Sequence, residues 1–144
     1  MQKSNVGKNI KSIDSPATVR TVLLVEEDDK VRFFAATVLT RCGYVVLEAD
    51  SACAALKIWE THAPQIELLF TDVGMNGMDG TRLAELLLAR NPKLRVLLSS
   101  GAYSETVRVM VGSRQSTGFL PKPYSTDQLE KTVSSAFRDF AIKN

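Results

Sequence analysis

Ile66-Glu67-Leu68-Leu69-Phe70-Thr71-Asp72-Val73-Gly74-Met75-Asn76-Gly77-Met78-Asp79-Gly80 reads as an apolar strand that stops on one carboxylate and breaks into glycines. Such an ending delivers the carboxylate to the rim of a sheet, where chemistry can reach it. Two more charged groups stand at comparable strand ends. They are Glu26-Glu27-Asp28-Asp29 after Thr21-Val22-Leu23-Leu24-Val25, and Lys122 after Gly118-Phe119-Leu120-Pro121. Taken singly, each has a plain explanation: an acidic helix start, a turn-forming aspartate beside glycine, a solvated lysine. In register with one another, they predict a shared site.

Outward from this stretch, short apolar runs alternate with longer helical patterns from Thr21 onward. The runs predict strands near 21–25, 44–48, 66–71, 94–99 and 117–120. The patterns predict helices near 28–42, 51–62, 79–90, 104–112 and 125–141. The first helix places Val31, Phe34, Ala35, Val38, Leu39 and Cys42 on one face, with Gly43 positioned to end it. The last repeats the device with Leu129, Val133, Phe137 and Phe140. Ser51, Asp79, Ser104 and Ser125 are available as N-caps, and Gln128 stands three residues after Ser125 as in a capping box. Continuous hydrophobic strands suit a parallel sheet covered on both faces, so the expected fold is α/β: a doubly wound, flavodoxin-like, five-stranded parallel sheet with five helices. For the strand order 2-1-3-4-5, ligands sit at the carboxyl ends between the first and third strands, where Glu26, Glu27 and Asp72 fall.

The 144 residues suffice for one domain, and 44% hydrophobic with 24% charged residues is ordinary for a globular protein. Residues 1–20 are expected to be a flexible leader or linker and residues 21–144 the folded domain. The leader carries Lys3, Lys8, Lys11 and Arg20 against Asp14, so the net +2 leaves the remainder near neutral, without a nucleic-acid footprint. No run approaches the ~18 apolar residues of a membrane span or forms a signal peptide, which makes a cytoplasmic protein the default. Cys42 and Cys53 lack a Cys-x-x-Cys or histidine context and read as reduced, partly buried thiols. His62 reads as a partner of its helix's C-terminus, and Met75 and Met78 as loop packing.

Clustered carboxylates resist ionising together unless a cation compensates. Magnesium, a hard ion with oxygen ligands that retains several waters, would be satisfied by Glu27, Asp72 and one backbone carbonyl from the following loop. Lys122 can pair with Asp72 at rest or with an added phosphoryl group, and Ser99-Ser100-Gly101 offers a hydroxyl to a phosphoryl oxygen. A carboxylate nucleophile, a metal, a cation and a hydroxyl around one concavity describe a phosphoryl-transfer site.

These residues resemble the receiver domain of two-component response regulators. The resemblance is carried by Val22 to Arg32, by Asp72 with Met75-Asn76-Gly77-Met78-Asp79-Gly80, by Ser100-Gly101 and by Phe119-Leu120-Pro121-Lys122-Pro123-Tyr124, over about residues 20–141. It implies that Asp72 accepts a phosphoryl group from a histidine kinase or a histidine phosphotransfer protein. It implies that Glu27, Asp72 and the Gly74 carbonyl hold Mg2+, with Glu26 acting through water. It assigns Ser100 and Lys122 to the phosphoryl oxygens, makes Ser100 and Phe119 the switch pair, and makes the Lys122–Pro123 peptide cis. Glu27 departs from the family's usual aspartate, Gly74 and Asn76 from bulkier residues and proline, and Ala102 from an aromatic directly after Gly101.

Two rivals stand beside this reading. An aspartyl-phosphate hydrolase wants a second acid two residues after the nucleophile, where Gly74 stands. A phosphorylation-independent pseudo-receiver is suggested by Glu27. With no effector segment expected after Asn144, the signal is expected to leave through the face of the fourth helix, fifth strand and fifth helix, with Tyr103, Val107, Met110 and Tyr124 as its apolar patch. The same face is open to use as a homodimer contact. The lysine-bearing leader fits a linker from the upstream part of a hybrid kinase and, equally, the start of a standalone regulator.

Overall fold

The computed structural model describes residues 19–143, with side chains through Arg138. Most of the expected leader lies outside the described residues. Arg20 belongs with the folded part: its carbonyl accepts the Val45 N–H at 2.9 Å and its guanidinium bonds Glu67 at 2.8 Å.

Five strands form the sheet: β1 (Thr21–Val25), β2 (Val45–Ala49), β3 (Ile66–Asp72), β4 (Arg95–Ser100) and β5 (Thr117–Pro121). They pair in parallel in the order β2-β1-β3-β4-β5. Five α-helices connect and cover them: α1 (Asp29–Arg41), α2 (Ala52–His62), α3 (Gly80–Arg90), α4 (Glu105–Ser113) and α5 (Thr126–Lys143). The doubly wound α/β expectation holds, with boundaries moved by one or two residues.

Parallel pairing with helices on both faces explains why the central strands are apolar on both sides. One layer packs Leu23, Val25, Leu69, Val96 and Leu98 against Trp59, Leu83, Leu87 and Val107 of α2, α3 and α4. The other packs Val22, Leu24, Leu68 and Phe70 against Val38 and Leu39 of α1 and Leu129, Val133 and Phe137 of α5. Each fully buried Leu or Phe contributes roughly 1.5–3 kcal/mol, so these layers fix the strands that carry the site.

The helix starts follow their caps. Ser51, Asp79 and Ser104 accept the backbone N–H groups of Ala54, Arg82 and Val107. Ser125 and Gln128 exchange bonds of 3.1 and 2.8 Å, the reciprocal capping box the spacing called for. His62 Nδ1 lies 3.3 Å from the Ile58 carbonyl in the last turn of α2. Met75 is buried and Met78 packs against the core.

Two expectations are corrected here. Cys42 and Cys53 are both exposed rather than partly buried. Helix α1 ends at Arg41 and the chain turns through Gly43 at φ +98°, so Cys42 leaves the helix before its face can matter. Val107 and Met110 do not form a surface patch: at 0% and 8% exposure they belong to the core under α4. Tyr103 and Val109 are the exposed apolar residues on that side. The Phe140 side chain lies outside the described residues.

Candidate functional site

Register builds the site. Val25 pairs with Thr71, so the next residues, Glu26 and Asp72, stand side by side at the carboxyl edge. Asp72 in turn pairs with Ser99, and Ser100 pairs with Pro121, which brings Lys122 to the same edge. Glu26, Asp72, Ser100 and Lys122 are thereby gathered at the switch point from four strands.

The Lys122 Nζ lies 2.7 Å from Glu26 Oε1 and 3.2 Å from Asp72 Oδ1. Lys122 was expected to pair with Asp72; its shorter contact is with Glu26. Both carboxylates are nearly enclosed, at 3% and 7% exposure. Burial pushes the Glu26 carboxyl above its ordinary value, with the charge of Asp72 adding, while Lys122 and the Asp28 N–H pull against it. Burial alone would lower Lys122, but its hydrogen bond to Glu26 and the charges of both carboxylates hold its ammonium above the ordinary value. Lys122 is therefore protonated and offsets part of the charge of the pair.

Glu27 is exposed and turned to the loop after β3, where its Oε1 accepts the Asn76 N–H at 3.0 Å. Among the described residues, no three His, Cys, Asp or Glu side chains gather closely enough to hold a metal by themselves. The donors at hand are carboxylate and backbone oxygens beside open solvent, which suits magnesium, an ion that needs few protein ligands and keeps its waters. Gly74 is exposed and has open space around its Cα.

Ser100 Oγ accepts the Ala102 N–H at 3.2 Å, leaving its own hydrogen free to donate. The Phe119 ring meets Tyr103 edge-on, with centroids 4.9 Å apart. The Lys122–Pro123 peptide is cis, as the resemblance implied.

Several residues support the site in ways the sequence did not lead us to expect, Tyr124 among them, which was expected only in the apolar patch. Arg32 donates to the Glu26 carbonyl at 2.8 Å and pairs with Asp29 at 2.7 Å, fixing the turn between β1 and α1. Tyr124 lies between Phe34 and Phe70, and burial, with the charges of Glu26 and Asp72, keeps its phenol protonated. Gly80 presses its Cα against the Asp72 carbonyl, while its N–H bonds the Val73 carbonyl at 2.9 Å. The run of acid and arginine in Glu26 to Arg32 was a visible signal for the first; close backbone approach leaves no sequence signal beyond the glycine itself.

A family model described as the response regulator receiver domain matches residues 22–134. The chain belongs to this family. The sensor kinase CckA of Brucella abortus (strain 2308) is 37% identical over 113 residues, 78% of this chain and 12% of that protein. The response regulator protein FleR of Pseudomonas aeruginosa is 38% identical over 114 residues, 78% of this chain and 24% of that protein. The receiver thus spans a quarter or less of these curated relatives. Among solved structures, the receiver domain of the hybrid histidine kinase CckA matches with 34% identity and a TM-score of 0.69, covering 82% of this chain and 99% of that one. A CheY-like receiver from Methanospirillum hungatei JF-1 shares the fold at TM-score 0.78 and 20% identity, over 88% and 100% of the two chains. No helix among the described residues of the receiver is long and apolar enough to cross a membrane.

Proposed function

We propose that this receiver is a phosphoacceptor in a two-component phosphorelay, with Asp72 taking the phosphoryl group from a phosphohistidine on a histidine kinase or histidine phosphotransfer protein. The observation that carries the reading is the Lys122 ammonium within 3.2 Å of Asp72 and 2.7 Å of Glu26, groups from three separate strand ends. An Asp72 carboxylate oxygen attacks phosphorus, the P–N bond breaks, and its electron pair returns to the donor imidazole. Lys122, already protonated, moves from the carboxylates to a phosphoryl oxygen, and the Ser100 hydroxyl donates to another.

Glu27, Asp72 and the Gly74 carbonyl would hold Mg2+, with Glu26 reached through water; bound there, the ion supplies positive charge against the carboxylates and the phosphoryl oxygens. Glu27 Oε1 accepts the Asn76 N–H, which leaves Oε2 as the oxygen open to the ion. Glu27→Asp is expected to tighten magnesium binding roughly 3- to 10-fold; unchanged affinity in a metal titration would count against Glu27 as a ligand.

Phosphorylation replaces the −1 of the Asp72 carboxylate with a phosphoryl group of roughly −1.5 to −2 and three acceptor oxygens, which draws Ser100 inward and vacates space for Phe119. The ring's contact with exposed Tyr103 ties that movement to the face of α4, β5 and α5, where a downstream partner or a second copy would dock. The reading is of a cytoplasmic signalling module in residues 21–144 behind a leader, with no DNA contact of its own, rather than an enzyme of continuous turnover.

Incubation with magnesium and acetyl phosphate tests it. One labile phosphoryl group, placed on residue 72 by borohydride trapping and mass spectrometry, supports the proposal. Continuous release of phosphate without an adduct supports a hydrolase, and no adduct with any divalent ion supports a pseudo-receiver.

A further inference from the structure

The opposite end of the sheet from Asp72 carries an unexplained concentration of positive charge. The loop between α3 and β4 and the loop between α4 and β5 enclose a cavity of about 760 Å³ lined by Lys93, Arg95 and Arg114 with Ser113, Gln115 and Ser116. No carboxylate lines it. Among the described residues, Lys93, Arg95 and Arg114 make no ion pair, while the nearby Glu67 is committed to Arg20 at 2.8 Å.

Arg95 is the informative member. Its Nε is enclosed and has no hydrogen-bond partner. Its guanidinium lies 5.3 Å from the centre of the Phe137 ring, on which Arg20 also rests at 4.9 Å. Two guanidiniums share one ring and one carboxylate, so burial and the charge of Arg20 lower the affinity of Arg95 for its proton. Stacking on Phe137 offsets part of the cost of that enclosed N–H, but the three lining cations still face the cavity without a carboxylate. An oxyanion seated among them would supply the counter-charge.

We propose that this cavity is a binding site for a small multivalent oxyanion, of the kind presented by the phosphate chain of a nucleotide. Lys93 and Arg114 supply charge from the two loops, and Arg95 supplies a third positive charge from the start of β4. The site lies at the amino ends of β4 and β5, so an anion there does not compete for Ser100 and Lys122. The proposal stands independently of phosphorylation at Asp72.

Residue-resolved NMR of the full chain, titrated separately with tripolyphosphate and with ATP at constant ionic strength without magnesium, tests it. The expected result is a saturable shift of amides in residues 93–95 and 113–116. The double variant Lys93→Gln/Arg114→Gln weakens binding about tenfold and leaves acetyl phosphate labelling of Asp72 unchanged. Equal affinity for the two probes identifies the phosphate chain as the recognised part; tighter ATP binding adds the nucleoside. Absence of saturation, shifts centred on Ser100 and Lys122, or an unaltered double variant would overturn it.

Discussion

Lys122→Ala loses about 3 kcal/mol of folding stability at neutral pH, the low end of the range for removing one partner of a buried ion pair, because Lys122 is itself 23% exposed. The variant leaves Glu26 and Asp72 adjacent, enclosed and without their cation. Removing Lys122 also removes the largest influence that holds Glu26 down, leaving only the Asp28 N–H, so its carboxyl, already above its ordinary 4.5, rises further. A group whose folded value is raised binds protons more readily folded than unfolded. Stability of the variant therefore recovers as pH falls from 7 towards 4.5, where the wild type, compensated by Lys122, gains less. Added magnesium should stabilise the variant more than the wild type, since it restores positive charge between the carboxylates. Urea denaturation at several pH values, with and without magnesium, reads all three. A variant as stable as the wild type at pH 7 would mean that water reaches the pair more freely than its burial implies. Labelling by acetyl phosphate should fall with the loss of the group proposed to meet the phosphoryl oxygens.

Gly80→Ala is expected to be comparably damaging for a different reason. A Cβ at Gly80 would collide with the Asp72 carbonyl oxygen and stand 2.9 Å from the Asp72 carbonyl carbon and 3.0 Å from Thr71 Oγ1. The nearest obstacles are backbone, so relief requires α3 to move off the end of β3. That movement breaks the Gly80 N–H bond to the Val73 carbonyl. Overpacking of this kind costs about 1–3 kcal/mol or more, and here it also re-aims Asp72, the proposed phosphoacceptor. The expected outcome is a lowered denaturation midpoint together with slower labelling of Asp72, from a substitution that removes no chemical group. Normal labelling at normal stability would show that the helix accommodates the methyl without shifting Asp72.

The parts of this architecture that could be read from sequence are those governed by local periodicity. Apolar runs ending on charge, as at Val25-Glu26 and Thr71-Asp72, fixed strand ends to within a residue, and parallel register then aligned Glu26, Asp72 and Lys122. Ser51, Asp79, Ser104 and Ser125 marked helix starts because their side chains compete for the first free N–H groups. What escaped depends on packing between distant segments. The helical period put Cys42 on a buried face, but it says nothing of where the helix stops. A nine-residue helix such as α4 offers two credible apolar faces, and only its docking on β4 and β5 turned Val107 and Met110 inward. The reach of Glu26 to Lys122 depends on side-chain length across the sheet edge, and the contact of Gly80 with Asp72 on how closely a helix presses on a strand.

The bond between Glu26 and Lys122 has a physiological corollary. A receiver that sets a lysine of its own against Glu26 and Asp72 meets part of their charge without a divalent ion, so under the proposed function ion supply is expected to bear first on the rate of switching. On that proposal, a message begins when an incoming phosphoryl group outbids the two carboxylates for the lysine.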